Sequence, residues 1–240
     1  MNLIVDIGNS VIKLAVAVQG KVIDMVRAES WSDDATLSFF RHYEKFDRGI
    51  VASVRSEKVP SWLNDMVTHG ILFFDHSTPV PIVNGYETPY SLGLDRLAAA
   101  VGANNIYPKS NVLVVDCGTA ITIDLVSAEG VFVGGNISLG LRTRFKALST
   151  FTSKLPLVDI SDEIPLLGKN TVDAIRAGVL NGAIFELNSY LEVLTPQYPE
   201  LKVLFTGGDA FFFDGKLKNP IFVVPNLVVL GLNRILEHNV

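Results

Sequence analysis

Two kinds of hydrophobic pattern alternate along this 240-residue chain: short apolar runs that end in an acid, and longer stretches with helical spacing. Leu3-Ile4-Val5 runs into Asp6-Ile7-Gly8-Asn9-Ser10, and Val112-Leu113-Val114-Val115 runs into Asp116-Cys117-Gly118-Thr119-Ala120. A second apolar segment leaves each, Val11 to Val16 and Ile121 to Val126. Both therefore read as strand, tight turn, strand, with a carboxylate at the mouth of the turn. Each continues into a hairpin, turning at Gln19-Gly20 in one copy and Glu129-Gly130 in the other. Leu3 to Ser10 superimposes on Leu113 to Ala120 without a gap. An internal repeat of this length outweighs either copy alone.

The pattern predicts strands at about 2–7, 11–18 and 21–27, then a helix capped in Trp31-Ser32-Asp33-Asp34 and running to about Phe46. A buried strand over 49–54, a helix over 60–69 and a short strand over 71–74 complete an α/β layer of mixed strand direction. Thr78-Pro79-Val80-Pro81 reads as a linker, since two prolines lack ladder donors. Tyr86 to Arg96 is a loop with two tyrosines and a glycine, leading into an alanine-rich helix at Leu97. Gly134 to Gly140 reads as a glycine-rich turn into a helix carrying Arg142, Arg144 and Lys146. Asn170-Thr171 caps a long helix to about Leu194, on which Ala174, Gly178 and Gly182 recur every fourth residue. That bare face predicts close packing, against the sheet or against a second subunit. Leu201 to Phe205 is a strand ending in Thr206-Gly207-Gly208-Asp209, a second glycine-rich strand end suited to an adenine or ribose contact. Two lobes follow, 1–110 and 111–240.

The chemistry of the repeat is that of a phosphate clamp. Gly8 and Gly118 let backbone amides come close to a phosphate, and short polar neighbours add hydrogen bonds. Asp6 and Asp116 repel phosphate and so would hold a cation or a metal-bound water. Lys13, three residues after the first turn, can neutralise phosphate charge. Asp95 and Arg96 open a helix after a loop suited to a small polar ligand; a helix cap beside a surface arginine is an equally good account of that pair alone.

Composition narrows the classes. Apolar residues are 48% and charged residues 19%, as in a globular protein. No segment approaches the ~18 continuous apolar residues of a membrane span, and the N-terminus lacks the basic flank of a signal peptide. A single cysteine excludes an internal disulfide and fits a reducing cytoplasm. The net charge of −5 argues against bulk nucleic-acid binding. The four histidines show no metal-ligand spacing.

In order and spacing, these motifs resemble the type III pantothenate kinases, of the superfamily of actin, Hsp70, acetate kinase and sugar kinases. Asp6-x-Gly8-Asn9-Ser10-x-x-Lys13 is similar to that family's first phosphate motif, Gly93-x-Asp95-Arg96 to its pantothenate motif, and Asp116-x-Gly118-Thr119-Ala120-x-Thr122-x-Asp124 to its second phosphate motif. Leu139-Gly140 departs from the usual Pro-Gly, which puts the shape of that turn in question. The resemblance implies an α/β fold of duplicated actin-like (ribonuclease H-like) lobes, each a mixed sheet flanked by helices. It also implies ATP-dependent phosphorylation of pantothenate, the first step towards coenzyme A. It assigns Asp95 as general base, and Asp6, Ile7, Gly8, Asn9, Ser10, Val11, Ile12, Lys13 and Thr119 to ATP. Tyr86, Gly93, Leu94, Asp95, Arg96 and Thr171 fall to the substrate, and Asp116 to a monovalent cation, potassium or ammonium. Magnesium with ATP and a homodimer complete what it implies. Another small-molecule kinase or phosphatase on the same frame, or a non-catalytic nucleotide-binding regulatory protein, remains an alternative.

Overall fold

A computed structural model describes residues 1–55 and 59–240. In chain order the strands and helices are β1 (Asn2–Ile7), β2 (Ile12–Val18), β3 (Lys21–Ala28), α1 (Asp34–His42), β4 (Arg48–Ser53), β5 (Ile71–Phe73), β6 (Val83–Asn84), α2 (Leu94–Ile106), β7 (Val112–Cys117), β8 (Ala120–Val126), β9 (Val131–Leu139), α3 (Leu141–Phe151), α4 (Thr171–Arg176), α5 (Gly182–Leu194), β10 (Lys202–Thr206), β11 (Phe222–Val223) and α6 (Leu227–His238). They form two compact units, one of residues 1–109, 126–134 and 226–240, the other of residues 110–125 and 135–225.

The first unit is built on a sheet of order β3-β2-β1-β4-β5. β1 and β2 are antiparallel, as are β2 and β3, whereas β4 runs parallel to β1 and β5 parallel to β4. The turn into β3 places Gln19 at φ 50° and Gly20 at φ 77°, the positive pair that a twisted two-residue hairpin requires. Leu3, Val5 and Ile7 pack into one cluster with Leu14, Val16, Phe39, Phe46 and Leu63. By alternation Ile4 and Asp6 point to the opposite face, and α6 packs on β1 and β4. Burial on both faces is why β1 is a nearly unbroken apolar run. Helices α2 and α6 meet at Gly102 and Gly231: a Cβ on Gly102 would lie 2.5 Å from the Leu227 carbonyl oxygen, and one on Gly231 would overlap the Ala98 carbonyl. The contact seats α2, the helix that carries Asp95 and Arg96.

The second unit repeats the strand order as β9-β8-β7-β10-β11, with β10 parallel to β7 and β11 parallel to β10. Leu113, Val115 and Cys117 enter a cluster with Phe145, Leu180, Leu187, Phe205 and Phe213, so Asp116 by alternation leaves β7 on the other face. Both acids of the repeat thus emerge from the face opposite their unit's main apolar cluster.

Several elements differ from what the pattern predicts. The first helix stops at His42, and Phe46 instead bridges Val67, its N–H donating to the Met66 carbonyl at 2.8 Å. The 60–69 segment is a tight 3₁₀ helix over Ser61–Met66. The segment from Gly134 to Gly140 is not a glycine-rich turn: β9 stays extended through both internal glycines, with Gly134 at φ 153°, and the helix starts only at Leu141. The 171–194 helix is interrupted by a wide π turn over Ala177–Asn181. A Cβ on Gly178 or Gly182 would meet nothing within 4 Å, so among the described residues the chain's own sheet does not cover that stripe.

Candidate active site

In the first unit the Asp6 turn closes through the Gly8 N–H, which donates to the Val11 carbonyl at 3.0 Å. Asp6 and Lys13 are cross-strand partners, and Lys13 Nζ donates to Asp6 Oδ2 at 2.9 Å. Asp6 is buried and the lysine partly so. Ile7 and Ile12 anchor the turn in the core, while Asn9 and Ser10 are exposed and Val11 is half-buried. Arg55 also reaches the turn, its Nε donating to the Gly8 carbonyl at 2.5 Å. Sequence reasoning missed this second cation because Arg55 lies 47 residues from Gly8 and no local motif links them.

In the second unit the copy of that turn is tighter, with the Gly118 N–H donating to the Ala120 carbonyl at 3.0 Å. The gapless sequence repeat therefore hides a one-residue difference in turn length. Two glycine backbones press on the Asp116–Thr119 turn. Gly140, just before α3, donates its N–H to the Thr119 carbonyl at 3.0 Å, and a Cβ there would overlap the Gly118 carbonyl oxygen and lie 2.7 Å from that of Thr119. Gly207, at the end of β10 with φ +90°, would drive a Cβ into Asp116 Oδ1 and to 2.6 Å from the Cys117 carbonyl oxygen. Thr143 Oγ donates to the Thr119 carbonyl at 2.7 Å, and the Asp209 N–H to the Cys117 carbonyl at 3.0 Å. Thr119 itself is exposed, with its side chain available to a ligand. Leu139 leaves this turn intact, ending β9 with its carbonyl accepting from Arg144 Nε at 2.7 Å.

The Cys117 thiol is not a nucleophile here. Burial, reinforced by the Asp116 and Asp209 carboxylates, pushes its pKa above the usual thiol range and keeps it protonated. Two of the three basic residues of α3 are held by acids: Arg144 donates to Glu186 at 2.5 Å, and Arg142 to Asp209 at 3.2 Å. Among the described residues no cluster of three or more His, Cys, Asp and Glu side chains could hold a metal ion.

The third constellation lies at the start of α2. Gly93 occupies the cap position, Leu94 is the first helical residue, and Asp95 sits exposed in the first turn. Asp95 is therefore not the cap; its Oδ1 accepts from the Arg96 N–H at 2.8 Å. Arg96 is buried, with its guanidinium carbon 5.7 Å from the Tyr86 ring centre and 5.8 Å from that of Phe132. Thr171 is exposed at the first position of α4, behind Asn170, whose side chain accepts from the Asp173 N–H. Within the first unit, Tyr86 and Arg96 come together.

A family model described as type III pantothenate kinase matches residues 2–192. The chain belongs to the type III pantothenate kinase family. A type III pantothenate kinase of Phocaeicola vulgatus is 47% identical over 100% of this chain and 99% of its own length. Solved structures extend the likeness in fold. A Campylobacter jejuni protein described as a Baf family transcriptional activator aligns over 99% of this chain and 98% of its own, with a TM-score of 0.64 at 22% identity. A Sinorhizobium meliloti protein described as a 2-dehydro-3-deoxygalactonokinase covers 100% of this chain and 99% of its own, with a TM-score of 0.60 at 12% identity. At such identities the likeness concerns the fold alone, the duplicated actin-like α/β frame with a mixed sheet in each half.

Proposed function

We propose that this chain transfers the γ-phosphoryl group of ATP to the primary alcohol of pantothenate, giving 4'-phosphopantothenate on the way to coenzyme A. The observation that carries this reading is the folded form of the repeat: each copy is a strand, a glycine turn and a strand, with its acid on the face away from the main apolar cluster, in a chain of the type III family. Asp6 through Lys13 and Thr119 hold the nucleotide. Tyr86, Gly93, Leu94, Arg96 and Thr171 hold the substrate. Asp95 accepts the proton as the alcohol oxygen bonds to the γ-phosphorus and the bond to the β-phosphate oxygen breaks. A potassium or ammonium ion would be held by Asp116, whose half-buried carboxylate lies against Gly207; it would offset part of the negative charge of the ATP phosphates. Magnesium would accompany the ATP phosphates, and Asp6 would hold one of its bound waters. A cytoplasmic location fits the lone buried thiol, and among the described residues no helix is long and apolar enough to cross a membrane.

A coupled assay for ADP tests the reaction. ATP turnover is expected only with pantothenate present, and to fall at least tenfold when sodium replaces potassium. Turnover independent of pantothenate would point to another small-molecule kinase or phosphatase, and equal rates in the two salts would remove the cation from Asp116. Lys13→Met is expected to raise KM for ATP while leaving KM for pantothenate unchanged. It also strips the buried Asp6 of its charged partner, so a stability loss of about 1–3 kcal/mol in urea unfolding accompanies it. An unchanged KM for ATP would confine Lys13 to a structural role.

The uncovered glycine stripe supports a homodimer. It borders an apolar groove of about 820 Å³ lined by Leu148, Phe151, Thr171, Ala174, Ile175 and Gly178. Phe151 is 86% exposed, which is costly for an isolated phenylalanine beside an apolar groove. A second copy whose α4–α5 segment crosses here would cover both, and would bring Thr171 to the interface. Light scattering should return about twice the 26.1 kDa chain mass; an active monomer would rule this out.

A further inference from the structure

Helix α3 carries three basic side chains, Arg142, Arg144 and Lys146, and none belongs to a phosphate or substrate motif. Arg144 is engaged locally, donating to Ser138, Glu186 and the Leu139 carbonyl. Arg142 is different. Its side chain is 71% exposed, and its bond to Asp209 Oδ1, 3.2 Å long, uses Nε alone. Among the described residues neither terminal nitrogen, Nη1 or Nη2, has a partner. The Asp209 side chain, by contrast, is only 10% exposed. Both ends of this pair are tied to the Asp116–Thr119 turn. On the arginine's side, the Gly140 N–H and Thr143 Oγ donate to the Thr119 carbonyl at 3.0 and 2.7 Å. On the other, the Asp209 N–H donates to the Cys117 carbonyl at 3.0 Å, and Gly207 packs on Asp116. The contacts close a ring that runs from Thr119 through α3, Arg142 and Asp209 back to Cys117. Arg142 is thereby fixed at the rim of the turn.

We propose that Arg142 is a nucleotide-binding residue: Asp209 anchors its Nε, and its outer edge, Nη1 and Nη2, bonds a phosphate of ATP seated on the Asp116–Thr119 turn. The inference rests on the proposal that this turn holds nucleotide. A guanidinium carries all its donors in one plane. Nε lies on the inner edge, so a carboxylate bound there leaves the outer edge open while limiting its swing. Such a planar fork matches two oxygens of a phosphate, and holding it in place beforehand removes an ordering cost on binding. Charge favours the same reading. Asp116 and Asp209 set two carboxylates about the turn, and a polyphosphate arriving beside them needs positive charge that Arg142 supplies. Stability explains the arginine less well, because an ion pair made through one nitrogen of a mostly exposed side chain adds little to a fold.

Calorimetric titration with ATP and steady-state kinetics test this on Arg142→Gln, Arg142→Lys, Asp209→Asn and the double variant Arg142→Gln/Asp209→Asn. Neither Kd nor KM depends on how much of a sample is folded, so lost fold is not mistaken for a lost contact. Arg142→Gln is expected to weaken ATP binding about tenfold, the worth of one charge-assisted bond partly screened by water, with KM for pantothenate unchanged. Arg142→Lys keeps the charge without the fork and should fall between the parent and Arg142→Gln. Asp209→Asn separates a contact from a brace. An arginine that touches phosphate still does so without its anchor, so Arg142→Gln should cost about fivefold or more in the Asp209→Asn background as well. Three results would overturn the proposal: an unchanged Kd for ATP in Arg142→Gln, an equal rise in KM for pantothenate, or an effect that vanishes once Asp209 is replaced. Gly140→Ala, which crowds the turn's own backbone, tells this failure from that of the underlying reading. Weak ATP binding there with normal binding in Arg142→Gln would sink the role of Arg142 alone. Normal binding in both would sink the assignment of the turn to nucleotide.

Discussion

Replacing Asp95 with asparagine is expected to give a folded, ATP-binding protein whose turnover is about 10²- to 10⁴-fold lower, the usual worth of a general base. Phosphoryl transfer leaves little covalent work to the protein, so charge and position carry most of the rate, but the attacking alcohol must still lose a proton. Asp95 is suited to receive it. It is exposed, it stands in the first turn of a rigidly packed helix, and its Oδ1 is steadied by the Arg96 N–H at 2.8 Å. The other two aspartates of the motifs are committed elsewhere: Asp6 pairs with Lys13, and Asp116 lies against Gly207. Asparagine matches aspartate in size and its carbonyl can still accept the Arg96 N–H. The helix cap is Gly93, which the change does not touch. Circular dichroism and the melting temperature should therefore stay close to the parent while kcat collapses. A folded variant with near-normal kcat would remove Asp95 from the proton transfer.

Gly140→Ala should lower kcat/KM for ATP about a hundredfold, since displacing catalytic groups by roughly an ångström costs that much. The added methyl would overlap the Gly118 carbonyl oxygen, and these are backbone atoms that cannot rotate aside. The Asp116–Thr119 turn or the start of α3 must move, and with either goes the bond from the Gly140 N–H to the Thr119 carbonyl and the one from Thr143 Oγ. Leu139→Ala, one residue earlier and half-exposed, is the control; it should fold and turn over much as the parent does. If Gly140→Ala keeps the parental kcat/KM, the turn does not hold nucleotide in the way proposed.

Much of this fold is legible in the sequence. The strands that carry the two motifs were legible because they are buried on both faces, so Leu3 to Val5 and Val112 to Val115 show as unbroken apolar runs. The hairpin at Gln19-Gly20 was legible for a different reason, as only a few residues tolerate the backbone it needs. The Gly134–Gly140 segment misled because two glycines look like a turn; here they are strand residues whose side-chain-free backbone lets β9 run on to the Asp116 turn. Phe46 misled because its burial comes from a bridge to Val67, whose chain is still to come when a helix is read outwards from Asp33.

The sequence by itself determined the chemistry on offer: two acids at glycine turns, a lysine facing the first, and an Asp-Arg pair at a helix start. It could do so because each depends on neighbours a few residues apart, where spacing alone sets geometry. Only the tertiary structure decided what holds those groups. Arg55 reaches Gly8, Phe132 stands over Arg96, Gly140 presses on Gly118, and Gly231 lets α6 seat the helix that bears Asp95. Each of these joins segments at least 22 residues apart, and two of them do so through backbone packed too closely for any side chain. Such contacts exist only once both segments have folded.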